Sequence, residues 1–581
     1  MARRAHRTFC GGLAACALFF QSSNQGTTGD ARPAMVRCPS TGRRTMPSIE
    51  NGDSLAAISR RQFTQLLTGS SLGWMAGCAT PQLPSRPEWL KPAVRKSSAA
   101  PKSCIDVHAH FFNATDVPVR GFLEGPVAHE KGGIIGRLIR LLGPVAQALA
   151  EIPPTASEEF ESLTRMSAQP GLLDARSRPD VLESTVLAEQ QRISSLFYGI
   201  VRNQPFEKEY NSIVETRRRA RPSDRSFLEL NENLNPSSVA NAMALGKRPR
   251  ALPDEVRAML AKEPYPEGVL AFVGCMLSPR WMNVREFGEA YSSAPGAFGM
   301  DHAFGALVDF EKWLEPVPRS GQDDQIRLHL LLSQLSGGYM RPLVGYNPWR
   351  DIEEQGGATR RVVEAVKHGF VGVKIYPPNG FRPFGNLPAD LPRGARRPSA
   401  QQLNDVLGNF WDQCIANNIP VMAHGGASMG SDDAHNKLAG PEGWEAILMR
   451  NGNAQPPRAN VGHFGGDTDQ NGWTQRFAKL MGIPEGSGFY ADLGYWDKLS
   501  CSNGQGCAVA QGKLRAVLQM PNVAKRVMYG SDWHMLVQER DWWSYPFDIA
   551  EATKGMAVSP QDLFGGNAAA CFASTLGTPA P

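Results

Sequence analysis

The 581-residue chain is short of the features that mark small stapled, membrane-spanning or nucleic-acid-binding proteins. Its 10 cysteines are scattered with no Cys-x-x-Cys pair, which excludes a zinc ribbon and a disulfide framework. Only Cys501 and Cys507 stand close together, in a Gly-rich stretch. They form one disulfide if the compartment is oxidising and are two free thiols otherwise. No apolar run reaches the roughly twenty residues of an uninterrupted membrane span. A formal charge of +5 is small for this length and gives no argument for nucleic acid. Charged residues at 20% and hydrophobic ones at 42% instead allow a globular protein with a sizeable core.

What is present begins with an address. Ser59-Arg60-Arg61-Gln62-Phe63 resembles a twin-arginine export signal, and a mildly apolar run from Leu66 to Ala76 follows it. That run ends in Met75-Ala76-Gly77-Cys78, similar to a lipoprotein cleavage box with Cys78 as the lipidated residue. Met46 is a natural start for such a signal, leaving Met1 to Thr45 as upstream sequence; the rival is a leader spanning Met1 to Phe20. Pro81 to Ser103, rich in Pro, Ser, Lys and Ala, reads as a solvated linker. Residues 1–103 are therefore expected to be leader, signal and linker. The expected location is periplasmic or membrane-anchored, and otherwise cytoplasmic.

The chemistry starts at Cys104-Ile-Asp-Val-His-Ala-His-Phe111, which reads as a strand carrying His-x-His. Side chains alternate along a strand, so His108 and His110 should project together with Asp106 below them on the same face. Two imidazoles from one rigid strand make half of a site for a borderline-soft divalent metal such as zinc. The long segment from 112 to 267 carries apolar residues at helical spacing, such as Ile134, Ile135, Leu138 and Ile193, Leu196, Phe197. It is expected to be a helical insertion that sits over the site as a lid or wall.

Short apolar runs then alternate with helical stretches. The runs are Gly268 to Cys275, Arg341 to Tyr346, Phe370 to Tyr376, Ile419 to His424, Ala459 to His463, Gly488 to Leu493 and Arg526 to Asp532. Gln401 to Asn417 is an amphipathic helix. With the first strand this predicts an α/β fold, a (β/α)8 TIM barrel over residues 104–576 with a long helical insertion after the first strand. His424, His463 and Asp532 each close an apolar run, and in such a barrel those ends gather at the catalytic face. Lys374 lies inside a strand, which is costly unless its amine is paired, charged for a purpose or modified.

These pieces together resemble the amidohydrolase superfamily, especially its amidohydrolase-related branch. The matching pieces are Asp106-Val-His-Ala-His110, Gly372-Val-Lys-Ile-Tyr376, His424, Gly462-His463 and Gly530-Ser-Asp532, with Leu563 to Ala569 similar to the family's closing helix start. The resemblance implies one or two divalent metal ions, zinc foremost, held by His108, His110, His424, His463 and Asp532. In binuclear members a carboxylated lysine at the position of Lys374 bridges the two ions. It also implies attack by metal-acidified water, with Asp532 taking the proton and His463 or the metal polarising the carbonyl.

The function so implied is hydrolysis of a C–O or C–N bond in a small carbonyl or carboxylate substrate such as a lactone, ester or amide. Two rivals remain: a non-oxidative decarboxylase of the same superfamily, and an inactive, lipid-anchored binding protein on the same barrel. Arg280 and Arg350, placed after the second and third strands, are expected to grip a substrate carboxylate. Asp492 is a candidate hydrogen-bond partner for a histidine ligand, and His435 and His534 are candidate substrate contacts.

Overall fold

The computed structural model describes residues 103–122, 147–167, 179–201, 266–293, 299–391, 397–428, 435–451, 456–467, 472–500, 506–539 and 542–577. The twin-arginine-like signal, Cys78, the Ile134 stripe and Cys501 lie outside them. Eight parallel strands follow one another in sequence order around one sheet. They are β1 (Ile105–Ala109), β2 (His302–Ala306), β3 (Met340–Tyr346), β4 (Gly372–Ile375), β5 (Val421–His424), β6 (Ala459–Gly462), β7 (Phe489–Asp492) and β8 (Val527–Met528). The ring closes where the Val107 amide donates to the Tyr529 carbonyl and Ala109 bridges Trp533. This is the (β/α)8 barrel read from the sequence.

One expected strand is a helix. Gly268 to Cys275 lies inside α3 (Pro266–Leu277), and the second strand is His302–Ala306. A short, wholly apolar run reads alike as a buried strand or a buried helix, because neither shows a polar face. Here Ala271 to Leu277 is buried on every side, so the helical period is invisible. The stretch between the first two strands therefore extends to Asp301, past the expected end at 267. Its described helices of more than one turn are α1 (Ala156–Ser167), α2 (Pro179–Val201), α3 and α4 (Arg280–Ser293). No described helix is long and apolar enough to cross a membrane.

From β2 onward the alternation is regular: α5 (Gln322–Leu335), α6 (Pro348–Glu353) and α7 (Gly357–Lys367), α8 (Ala400–Ala416), α9 (Glu442–Asn451), α10 (Trp473–Gly482) and α11 (Cys507–Leu518) fill the successive crossovers. Local chemistry sets several of these starts. Ser399 and Gln402 form a capping box on α8, and Asn347 caps α6 with Pro348 at its first position. Cys507, at the start of α11, is disulfide-bonded.

Two apolar clusters hold the barrel. Ile105, Val107, Phe304, Leu343, Met422 and Met528 pack together inside the ring, and Ala568, Cys571 and Phe572 of the tail close its floor. Burying a side chain such as Phe572 contributes about 1.5–3 kcal/mol. Asn567 fastens that tail by donating to the carbonyls of Ala524 and Val527. The larger cluster lies between the strands and the surrounding helices and includes Ala109, Phe111, Phe287 and Trp533.

Candidate metal centre

The site begins with a break in β1. Ile105 and Asp106 pair with His302 and Ala303, but Ala109 pairs with Gly305, so one residue is extra between them. Such a bulge resets the alternation of side chains. Ile105 and Val107 pack inside the ring, whereas Ala109 and Phe111 pack against the outer helices. His108 and His110 consequently both reach the barrel axis. Asp106, expected on their face, is turned by the bulge toward the outer layer. Its Oδ1 accepts the backbone amides of His108 and Ser531 at 3.0 and 3.1 Å. Burial pushes its carboxyl up to about 7, against those hydrogen bonds.

Four further strands bring their residues to the same place. His108 Nε2 and His110 Nε2 each lie 3.4 Å from Asp532 Oδ1. Lys374 Nζ is 3.3 Å from His108 Nε2, and His463 Nε2 is 3.0 Å from His424 Nδ1. One donor atom each from His108, His463 and Asp532 falls within 4.8 Å of the others. Neighbouring donors around a tetrahedral zinc with bonds of about 2.0–2.1 Å are separated by about 3.3 Å. The 3.4 Å separations of Asp532 Oδ1 from the two imidazoles match that spacing and are too long for strong hydrogen bonds, whereas His463 Nε2 and His424 Nδ1 stand at hydrogen-bond distance.

The second nitrogens of the rings show the same purpose. Nδ1 of His108 is held by Asp492 at 3.0 Å, that of His110 by the Ala306 carbonyl at 2.9 Å, and that of His463 by the Gly494 carbonyl at 2.9 Å. Acceptors on Nδ1 fix the proton there and leave the Nε2 lone pair facing inward. His424 Nε2 is buried with no hydrogen-bond partner among the described residues, as suits a nitrogen left open for a ligand. The residues therefore fit a divalent metal.

The electrostatics agree. Burial, then the Lys374 charge, holds the His108 imidazole well below its ordinary value, and burial and His463 do the same for His424. Neutral imidazole is the ligating form. Burial opposes ionisation of Asp532, but the surrounding imidazoles, His108 first, outweigh it and bring its carboxyl down to about 2. Burial lowers the Lys374 ammonium to about 8, less the support it draws from Asp492 and Asp532.

The backbone is strained to make this set. His463 and Asp532 have φ of 65° and 58°, a left-handed conformation uncommon for side chains of their kind. Glycines make room: a Cβ at Gly530 would stand 2.8 Å from His108 Cβ, and one at Gly494 only 2.7 Å from its Nδ1. Asp492 is the hub beneath. Its Oδ1 also accepts the amides of His463 and Gly494, and its Oδ2 accepts from Asn460 Nδ2 at 2.7 Å. Sequence reading singled out Asp492 but missed Asn460, whose polar side chain inside the apolar β6 run was the available signal.

Other candidates lie elsewhere. Arg280 follows no strand; it opens α4 and is fully buried, tied to Asp116 at 2.5 Å and Glu159 at 2.9 Å, with further bonds to Thr115 and Ser320. The expected grip on a substrate carboxylate is replaced by a clamp within the stretch between β1 and β2, with Ser320 beyond β2 as a further partner, because every guanidinium nitrogen is already engaged. Arg350, in α6, is held by Asp309 at 2.6 Å and Glu311 at 2.8 Å rather than offered to a ligand. His534 is buried and stacked on Trp533, with Phe112 at its edge. His435 is buried with Nε2 3.4 Å from Arg397.

No family model and no curated relative matches the chain. Solved structures match it at low similarity. A Lactobacillus casei protein described as a metal-dependent hydrolase is 14% identical over 58% of this chain and 84% of its own, with a TM-score of 0.35. An amidohydrolase of Burkholderia multivorans with bound HEPES is 14% identical over 47% of this chain and 84% of its own, TM-score 0.31. A zinc-bound form of the Burkholderia protein is 13% identical over the same shares, TM-score 0.31. The barrel and the candidate metal centre rest on the chain's own strand order and distances.

Proposed function

We propose that the chain is a metal-dependent hydrolase that cleaves a C–O or C–N bond of a small carbonyl compound such as a lactone, ester or amide. The supporting observation is the convergence of one donor atom each from His108, His463 and Asp532 within 4.8 Å, with His110 Nε2 3.4 Å from the same carboxylate and the outward nitrogens of three rings already held. A divalent ion, zinc foremost, supplies Lewis acidity there and brings the pKa of water down toward about 7.

The chain's own residues do the rest. Asp532 stays ionised across the working range and is the acceptor for the proton of the attacking water, which it returns to the leaving group. His110, tethered by its Nδ1, cannot swing away from Asp532. The walls exclude bulk solvent, because His108, Lys374 and Tyr376 are all buried. Tyr376 packs its ring on His424 at 4.9 Å and bonds Ser428 at 2.8 Å, which keeps that imidazole in place. Lys374, its ammonium lowered by burial to about 8 and its Nζ 3.3 Å from His108 Nε2, would supply a ligand oxygen if carboxylated.

Metal analysis of the purified protein, with turnover of lactones, esters and amides before and after chelation, tests this. The expected result is one or two equivalents per chain and acid release that chelation removes; carbon dioxide release from a carboxylic acid, or binding without turnover, refutes hydrolysis. Export by the twin-arginine route, with lipid attached at Cys78, belongs to the same proposal, since that route carries proteins already folded around their metal. Arg60→Lys with Arg61→Lys should hold the protein in the cytoplasm, and unchanged export refutes the signal.

A further inference from the structure

The bulge in β1 and the turn after β8 are joined through one oxygen atom. A residue inserted into a parallel strand leaves an amide without its ladder acceptor. Here the unpaired amide is that of His108, and Asp106 Oδ1 accepts it at 3.0 Å. The same Oδ1 accepts the Ser531 amide at 3.1 Å, one residue before Asp532. The His108 carbonyl returns the link, accepting the Asp532 amide at 2.7 Å and the Ser531 hydroxyl at 3.4 Å. Ser531 Oγ in turn accepts the Trp533 amide at 3.0 Å. Asp532 holds φ of 58°, so its carboxylate faces the histidines only while this turn is pinned. Asp106 itself is fully buried.

We infer that Asp106 is the positioning residue of the centre: its Oδ1 locks the β1 bulge to the β8 turn and so sets His108 opposite Asp532. The inference rests on the metal reading given above. What matters is an acceptor oxygen at that point, not the negative charge. Asparagine offers the same oxygen at the same reach, whereas alanine removes it and glutamate displaces it by a methylene.

The test is cobalt(II) titration of the full chain, read by visible absorption, on wild type, D106N, D106A and D106E. D106N should reproduce the wild-type spectrum and bind within about threefold of it, as expected when only an oxygen acceptor is kept. D106A should bind at least about tenfold more weakly, and its bands should shift as the ligand geometry relaxes. D106E repeats the displaced spectrum and covers the case in which D106A does not fold. A wild-type spectrum in D106A or D106E, or a D106N as impaired as D106A, overturns the inference. Absence of cobalt binding by the wild type refutes the metal reading instead. Amide exchange at His108 and Ser531, faster in D106A or D106E but not in D106N, then still decides whether Asp106 holds the two turns.

Discussion

Replacing Asp492 by asparagine isolates the contribution of one charge beneath the metal centre. Three donors converge on Asp492 Oδ1: His108 Nδ1 at 3.0 Å, the His463 amide at 3.1 Å and the Gly494 amide at 2.9 Å. The amide oxygen of the new side chain must take that position, so its NH2 turns toward Asn460. Asn460 can answer, because its Oδ1 is buried without a partner and a half-turn of its amide presents that oxygen. D492N should therefore fold. What it loses is charge assistance: a hydrogen bond to a charged group contributes about 1.5–3 kcal/mol against about 0.5–1.5 for a neutral one. The difference of about 1–2 kcal/mol corresponds to roughly tenfold in affinity. That agrees with the 10–100-fold range for partners of metal-ligating histidines. Competition with a chelating dye, with folding checked by circular dichroism, measures the change in zinc Kd. A folded D492N whose Kd stays within twofold of wild type would refute the role given to the carboxylate.

Two further outcomes follow from buried groups outside the centre. Arg280→Met leaves Asp116 and Glu159 buried without their cation and should cost about 3–5 kcal/mol in urea denaturation; a loss under 1 kcal/mol contradicts the clamp. His329, fully buried with Nε2 unpartnered, is held by burial at about 4 instead of 6.5. Its folded pKa is depressed, so stability is complete above pH 6.5, falls as pH drops to about 4, and levels off below. Relative to His329→Leu, wild type should lose about 3 kcal/mol across that window, and parallel stability curves would show that the imidazole is charged in the folded state.

The barrel and its donors were legible because each strand ends where its chemistry begins. His424 and Asp532 follow apolar runs, and a polar residue closing a buried strand has few other reasons to be there. The second strand was hidden by competition. His302–Ala306 is short and holds a glycine and a polar first residue, while α3 offers a more apolar run nearby. Arg280 was misplaced by that substitution, since its role depended on following a strand. Asp106 was placed on the wrong face because a bulge adds no recognisable residue; only the shift between Asp106↔Ala303 and Ala109↔Gly305 reveals it.

The long excursion between β1 and β2 has a consequence for how the protein is made. Both neighbours of β1 in the ring arrive late: Ala303 and Trp533 are far from it along the chain. Joining β1 to β2 spans roughly 200 residues instead of the roughly 40 that part β2 from β3, an added closure cost of about 1.5 kcal/mol. Such distant pairings form slowly. During synthesis His108 and His110 therefore emerge first but acquire Asp532 only when the last strand leaves the ribosome, so a full complement of ligands is a signature of a finished ring.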